Sequence, residues 1–129
     1  MKLEWSGSEM YFFDTYALYQ IAKGEASYLQ FQKHSTFHTT LMNAYELYYV
    51  LIKEGQEQLA ELFFEKLVPI CLEFTPEDVR SAAQFRLRNS RKKFSYVDAL
   101  GYIISLKKGL LFLTGDDAFR EFENVKFLK

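Results

Sequence analysis

The chain has 129 residues, enough for one domain with a single core, and 49% of them are hydrophobic. The net charge of −1 gives no overall attraction for nucleic acid, and the single cysteine, Cys71, excludes an intrachain disulfide and a cysteine-based metal site. No apolar stretch reaches the ~20 uninterrupted residues that a membrane-spanning helix needs. We therefore expect a cytoplasmic protein with no membrane segment, in which residues 1–9 form a flexible extension and residues 10–129 a single domain.

The first half of the chain is predicted to alternate strands with helices. Short apolar or β-branched runs indicate strands, and apolar residues at helical spacing indicate helices. Asn43 is predicted to cap the first helix of a helical hairpin. The predicted elements are a strand at Met10–Phe13, helices at Tyr16–Lys23 and Glu25–Ser35, a strand at Thr36–Thr40, and hairpin helices running from Asn43 to Gly55 and from Gln56 to Leu67.

The second half continues this alternation. Thr75-Pro76 is a strong helix start, because Thr is a good N-cap and Pro fits the first helical position. Five strands joined by helices predict an α/β fold, a three-layer α/β/α sandwich around a five-stranded parallel sheet. The remaining predicted elements are a strand within Val68–Phe74, a basic helix from Thr75, a helix at Ser95–Lys108, a strand at Leu110–Leu113, a short helix at Asp117–Glu123 and a strand at Val125–Leu128.

Positive charge is concentrated in residues 79–93, which contain no acid. Such a run is either a contact surface for the phosphate backbone of a nucleic acid or a solvated helix face, and the sequence favours neither. The basic residues are Arg80, Arg86, Arg88, Arg91, Lys92 and Lys93.

Four acidic residues occupy positions from which their side chains could converge. Asp14 and Asp116 end apolar strands, and Glu46 and Asp98 lie in the first turns of predicted helices. Ligands bind open α/β sheets in the crevice outside the carboxyl ends of the strands. If the strands that end at Asp14 and Asp116 are neighbours, all four acids face one crevice.

Each acid also has a purely structural interpretation. Asn43-x-x-Glu46 and Ser95-x-x-Asp98 fit the capping-box pattern, in which the acid accepts a hydrogen bond from a backbone N–H at the helix start. Asp14 and Asp116 could be turn residues that bond their own backbone. Asp117 is the better acid for a helix start, and we assign it that structural part.

The acids have a different meaning when they are taken together. Neighbouring carboxylates repel, and each raises the pKa of the others unless a cation neutralises them. Oxygen ligands without histidine or cysteine suit Mg²⁺ or Mn²⁺ rather than zinc. Such ions activate water and stabilise a leaving oxygen in phosphodiester hydrolysis. The joint pattern therefore indicates a nuclease.

These residues give the chain a resemblance to the PIN-domain ribonucleases, and specifically to the small VapC-like toxins of prokaryotic toxin–antitoxin pairs. The resemblance covers nearly the whole chain from Met10. It rests on four segments in order and at family-like spacing: the opening strand with Asp14-Thr15, Thr40-x-x-Asn43-x-x-Glu46-Leu47, Asp98-Ala99-Leu100, and Thr114-Gly115-Asp116 with Phe119 behind it.

The resemblance implies a five-stranded parallel sheet and a Mg²⁺- or Mn²⁺-dependent endoribonuclease. Glu46 would be an outer ligand or would orient the attacking water, and Thr15 and Thr114 would bond the carboxylates, with N-capping as their alternative. It also implies a homodimer and an antitoxin partner that lies in a groove near the site. The metal would be coordinated by Asp14, Asp98 and Asp116. Independently of the resemblance, the basic run supplies the candidate RNA contacts, which are Arg86, Arg88, Arg91, Lys92 and Lys93.

Two other functions remain open at this stage. The chain could be a non-catalytic RNA- or protein-binding module of the same fold, or a metal-dependent enzyme that acts on DNA or another phosphate ester. Tyr45, Tyr48 and Tyr49 point in different directions around one helix, so some should be exposed or covered by a partner. Neither His34 nor His38 has a partner motif, and we assign them no role.

Overall fold

The computed structural model describes residues 10–34 and 36–129, so the predicted extension 1–9 lies outside the described residues. In this part of the chain no helix is both long enough and apolar enough to cross a membrane. The strands are β1 (Met10–Phe13), β2 (Thr36–Thr40), β3 (Cys71–Leu72), β4 (Leu111–Thr114) and β5 (Val125–Phe127). The helices are α1 (Thr15–Ala22), α2 (Ala26–His34), α3 (Leu41–Lys53), α4 (Glu57–Leu67), α5 (Pro76–Arg88) and α6 (Tyr96–Lys108), with 3₁₀ turns at Val68–Ile70, Ser90–Lys92 and Asp117–Phe119.

The strands form one parallel sheet in the order β3-β2-β1-β4-β5. The chain proceeds outward from β1 to β3 and then crosses back to β4, so the topological switch point lies between β1 and β4. Phe13 and Leu113 are in register there, and the Asp14 N–H extends the pairing by a bond to the Leu113 carbonyl at 3.3 Å. The predicted five-stranded parallel α/β fold is confirmed, and its switch point is the expected place for a ligand.

Alternating residues of β1 face two separate cores, because successive side chains of a strand point to opposite faces. Tyr11 and Phe13 pack with apolar residues of α1 to α4. Phe12 packs with apolar residues of α5 and α6, in a core rich in aromatic rings such as Phe85 and Phe94. Helices therefore cover both faces of the sheet, as the alternation of elements predicts.

Helix α6 lies against the two central strands at Gly101. A Cβ at this position would stand 2.8 Å from Cε1 of Phe12, whose side chain is fully buried. Phe12 in turn stacks on Phe112 of β4 with a centroid separation of 5.7 Å. The missing side chain lets the helix approach the sheet closely, which fixes the height of Asp98 one turn earlier.

Two predictions near the ends of helices are wrong. Asn43 does not cap α3: the N-cap is Thr40, whose Oγ1 accepts a hydrogen bond from the Asn43 N–H at 3.3 Å. The predicted short helix at Asp117–Glu123 is only a 3₁₀ turn, because Phe122 leaves the helical path and joins the aromatic core.

Two further boundaries differ from the sequence prediction. Strand β4 extends to Thr114, so Asp116 follows the strand after Gly115 rather than ending it directly. The predicted basic helix ends at Arg88, and the basic run continues through the turn Ser90–Lys92 instead of along one helix face.

Candidate active site

Asp14 is the buried acid at the switch point. It caps α1, and its Oδ1 accepts a hydrogen bond from the Ala17 N–H at 3.0 Å, which is the structural role weighed for it. The Thr114 side chain donates a second hydrogen bond to this carboxylate. Burial nevertheless raises the pKa of Asp14 to about 8, and the charges of Asp98 and Asp116 add to the rise.

Glu46 is held by a chain of polar side chains rather than by a helix start. The Thr15 hydroxyl donates to Glu46 Oε1 at 2.6 Å, and Asn43 Nδ2 donates to Thr15 Oγ1 at 3.1 Å. The Thr40 hydroxyl completes the chain by donating to Asn43 Oδ1 at 2.6 Å. The capping-box interpretation of Glu46 is therefore wrong. Burial raises the pKa of Glu46, the bond from Thr15 opposes the rise, and the charge of Asp98 adds to it.

Asp98 has both a capping role and a place in the acidic cluster. Ser95 Oγ accepts from the Asp98 N–H at 3.0 Å, and Asp98 Oδ2 accepts from the Ser95 N–H at 2.9 Å. This reciprocal pair is the capping box expected from the sequence. Burial raises the pKa of Asp98, and the neighbouring charge of Asp116 raises it further.

Asp116 is positioned by a tight exit from β4. Its Oδ1 accepts from the Ala118 N–H at 3.0 Å, and its own N–H donates to Thr114 Oγ1 at 3.1 Å. A Cβ on Gly115 would lie 2.3 Å from Cε1 of Tyr16 and 2.5 Å from the Leu128 carbonyl oxygen, so only glycine fits there. The exit of β4 is thus locked against α1 and the end of the chain.

Asp117 lies outside this cluster. Its carboxylate pairs with Arg120 at 3.1 Å and with Lys129 at 2.5 Å, and these contacts lower its pKa. The side chain is exposed on the surface. Asp117 therefore serves as a matched control for the acids of the site.

The sequence-predicted acids converge in one cleft. Asp14 interacts electrostatically with Asp98 and Asp116, Asp98 with Asp116, and Glu46 with Asp98. The cleft lies at the carboxyl ends of β1 and β4, on either side of the switch point. These mutual interactions show that the fold gathers acids that are up to 102 residues apart in sequence, from Asp14 to Asp116.

The donor chemistry of the cleft fits a hard divalent cation. Carboxylate and hydroxyl oxygens line it, and mutual repulsion together with burial favours any bound positive charge. The helix caps engage one oxygen of each of Asp14, Asp98 and Asp116. Among the residues whose side chains the structure describes, however, no group of three or more acid, histidine or cysteine side chains is already arranged so that it could hold a metal ion.

Sequence reasoning missed two features of the site. Asn43 connects the Thr40 hydroxyl to Thr15, although the motif Thr40-x-x-Asn43-x-x-Glu46 contained the signal. A cavity of about 470 Å³ opens beside Glu46, and its rim carries Tyr45 and Tyr49, which are 63% and 54% exposed. The expectation that some tyrosines of this helix are exposed is confirmed.

The basic residues lie at the end of α5 and in the segment that leads to α6. Arg86 and Arg88 end α5, Arg91 and Lys92 lie in the following 3₁₀ turn, and Lys93 comes next. Arg86 is half-buried and the others are exposed. These cations are grouped on the surface at the end of α5 and the start of α6.

Comparison with known proteins identifies the family. The family model described as the PIN domain matches residues 11–125, and the chain belongs to this family. The resemblance predicted from the four sequence segments is thereby confirmed. No curated protein matches the chain.

Solved structures of low sequence identity share the fold. A toxin–antitoxin complex from Klebsiella pneumoniae superposes with a TM-score of 0.72 at 17% identity, over 90% of this chain and 95% of that one. The Mycobacterium tuberculosis toxin VapC20, described as cleaving the sarcin–ricin loop, gives 0.71 at 19% identity, over 89% and 98%. VapBC2 from Rickettsia felis, bound to a promoter DNA fragment, gives 0.66 at 18% identity, over 92% and 97%.

Proposed function

We propose that this PIN domain, residues 10–129, is a Mg²⁺- or Mn²⁺-dependent endoribonuclease that acts in the cytoplasm as the toxin of a toxin–antitoxin pair. One observation carries the proposal: Asp14, Glu46, Asp98 and Asp116 interact in one cleft at the switch point of the sheet. The pKa values of three of these carboxylates are raised, which is a common property of functional sites. The VapC20 structure, with its described RNA-cleaving activity, supports this choice of substrate class.

The residues of the cleft would divide the chemistry between them. Asp14, Asp98 and Asp116 would hold the cation, which supplies water activation and charge neutralisation when bound. Glu46 would orient the attacking water with the carboxylate that Thr15 fixes at 2.6 Å. Thr114 would keep Asp14 in place through its hydrogen bond, and the cation would also lower the cost of burying that charge.

The test is cleavage of labelled RNA and of DNA of the same sequence, with Mg²⁺, with Mn²⁺ and with EDTA. Asp98→Asn keeps side-chain oxygen for the capping box but removes the charge, and we expect cleavage to fall by at least ~100-fold. Asp117→Asn changes a neighbouring acid outside the cluster and should cleave as well as the wild type. Full activity of Asp98→Asn, or activity in EDTA, would refute the proposal.

The absence of a ready metal cluster among the described residues favours one alternative, a non-catalytic binding module. The same assay separates the two functions, because a binding module would retain RNA without cleaving it under any metal condition. Preferential cleavage of the DNA strand would instead support a nuclease that acts on DNA.

We further propose that the protein forms a homodimer and binds an antitoxin near the site. The exposed Tyr45 and Tyr49 support a partner surface, since large exposed aromatic side chains are enriched at interfaces. The Klebsiella pneumoniae neighbour is itself described as a toxin–antitoxin complex. Co-expression with the product of a short adjacent reading frame should suppress toxicity and yield a complex on gel filtration.

A further inference from the structure

A cavity of about 490 Å³ opens between the end of α5 and the start of α6. We call it the basic groove and define it by Arg86, Leu87, Lys93 and Tyr96, which line it. It lies on the face of the sheet where Phe12 packs against α5 and α6, and not on the face covered by α1 to α4. The acidic cluster uses none of these four side chains.

Tyr96 presents a planar surface at the rim of this groove. It is the first residue of α6, and its side chain is 75% exposed. The Arg86 guanidinium carbon stands 4.1 Å from the centroid of the ring, while Arg86 Nε donates to the Phe94 carbonyl at 2.8 Å. The guanidinium therefore lies over the phenol ring in a cation–π contact, while most of the Tyr96 side chain stays exposed to solvent.

The groove is also strongly cationic. Arg86 and Lys93 line it. Three further cations, Arg88, Arg91 and Lys92, lie between them in the sequence, and residues 79–93 contain no acid. Lys93 adopts the left-handed conformation with φ of 59°, which is uncommon for a residue with a side chain. Glycine would adopt this conformation more easily, so the Lys93 side chain can be removed by substitution with glycine without straining the backbone.

The groove and the acidic cluster share one helix end. Tyr96 and Asp98 belong to the first turn of α6 but point to opposite sides of it, so about a helix diameter, ~10 Å, separates the two features. Phe94 at the groove stacks on Phe119 of the 3₁₀ turn that Asp116 caps, with centroids 4.3 Å apart. A polymer lying across the start of α6 would therefore contact both.

We propose that the basic groove binds one nucleotide of a single-stranded RNA beside the nucleotide at the carboxylates, with its base stacked on Tyr96 and its phosphate held by Arg86 and Lys93. The inference rests on the proposed function for the identity of the polymer. Charge complementarity selects a polyanion, and the part of the Tyr96 ring that Arg86 leaves exposed provides a surface on which an unpaired base can stack. An acidic peptide would use the charge but not the plane of the ring.

The experiment measures binding without cleavage. A fluorescent single-stranded RNA of mixed sequence is titrated in EDTA against Asp98→Asn protein, and Kd is followed by anisotropy at several salt concentrations. Tyr96→Ala should raise Kd by about tenfold and leave the salt dependence unchanged, because stacking carries no charge. The logarithm of the association constant falls as the logarithm of the salt concentration rises. Lys93→Gly should make this slope less steep by ~0.7, the value for one phosphate contact on a single strand.

Two controls separate recognition from folding. Lys66→Gln removes a cation from α4, on the other face of the sheet. It should change Kd by less than about one fifth of the change in Tyr96→Ala, and the salt slope by less than about one fifth of the change in Lys93→Gly. Lys93→Gly should unfold at the same or a higher temperature than the parent, since glycine adopts φ near 59° without strain. Weaker RNA binding in a protein of equal or greater stability cannot be a folding defect.

The outcomes distinguish this inference from the proposed function. Unchanged RNA affinity in Tyr96→Ala, equal losses in Lys66→Gln, or no binding by the parent would overturn the groove as an RNA site, whatever the cleavage assay shows. Weakened binding in Tyr96→Ala and Lys93→Gly, together with no cleavage by the wild type under any metal condition, would leave the groove established and the nuclease activity refuted.

Discussion

At Asp14 the chain buries an acid whose pKa, about 8, lies far above its ordinary value of 3.8. Burial is the main cause, and hydrogen bonds from Thr114 and from the Ala17 N–H only partly offset it. A folded-state pKa above the unfolded one means that the native protein holds the proton more tightly. The resulting stability is fully present below pH 3.8 and is lost as the pH rises toward about 8.

We predict that Asp14→Asn stabilises the metal-free protein near pH 8. Asparagine caps helices as well as aspartate does, so the change removes the buried charge and keeps the cap. In EDTA the free energy of unfolding should rise by more than ~1 kcal/mol near pH 8 and change little near pH 4, measured by urea denaturation. Asp117→Asn should show no such pH dependence. If Asp14→Asn were less stable than the wild type near pH 8, the buried charge of Asp14 would not be a destabilising feature of the fold, and the prediction would be wrong.

Hydrogen bonds between near neighbours in sequence could be predicted, and distant ones could not. The Ser95–Asp98 capping box depends on residues three apart, so its pattern was visible in the sequence. Thr40 and Asn43 are both good N-caps, and nothing in their local sequence favours one over the other. The choice is made by Thr15, which is 28 residues from Asn43 and accepts the hydrogen bond of its amide.

Among the elements, α6 shows how a local preference yields to packing. Alanine would favour the helix at position 101 by ~1 kcal/mol over glycine. The ring of Phe12, 2.8 Å from the site of the added Cβ, opposes it, because overpacking a core costs ~1–3 kcal/mol. The glycine is therefore explained by the sheet beneath the helix and not by the helix itself.

We predict that Gly101→Ala destabilises the protein by about 1 kcal/mol. Thermal or urea unfolding measures the loss. Phe12→Leu shortens the opposing ring and should itself be destabilising, but the double variant should be more stable than the sum of the two changes implies. Strict additivity would show that the helix does not press on Phe12.

Strands were easier to predict than the segment after β4. Met10–Phe13 is a short apolar run with an acid behind it, and its composition alone indicates a buried strand. Residues 117–123 combine an acidic start with helix-forming side chains, and the sequence therefore predicted a helix. Phe122 instead packs edge-on against Phe94, 5.6 Å between centroids, and the chain must then reach the start of β5 at Val125. Contacts of this kind, between residues far apart in the sequence, cannot be predicted from the local residue pattern.

On the scale of the whole molecule, the acidic cluster and the basic run occupy different regions of the fold. The acids meet at the switch point, while the basic residues collect at the end of α5 and the turn that follows it. The overall charge of −1 conceals this arrangement. A polyanion could therefore be held by one region while the other remains reserved for a cation.

We predict that Mn²⁺ raises the melting temperature of the wild type and does so more strongly as the pH rises. At a concentration 100 times Kd, a ligand adds ~2.7 kcal/mol, equivalent to several degrees for a domain of this size. Asp14 must lose its proton to bind the ion, so affinity should increase toward pH 8 and binding should release protons, detectable by calorimetry in two buffers. Equal shifts in the wild type and Asp98→Asn would exclude this cluster as the metal site.

The architecture could be predicted as a whole because four short segments keep their order and spacing over nearly the entire chain, and the match to the PIN domain over residues 11–125 confirms it. The detailed arrangement of the carboxylates could not. The carboxylate positions are set by backbone hydrogen bonds such as that from the Ala118 N–H to Asp116, and no described group of three is ready to hold a metal. Spacing in sequence does not specify these positions.

Three acids of the cleft also begin a helix or a 3₁₀ turn: Asp14 caps α1, Asp98 closes the box of α6, and Asp116 caps the turn after β4. Alanine at any of these positions would remove a backbone hydrogen bond together with a charge. Asparagine can keep the bond and lose only the charge, and at the N-cap positions 14 and 116 serine and threonine can do the same. Homologues that no longer need the charges should therefore carry these polar residues at the three positions. Such proteins would still fold, because their helix caps are intact.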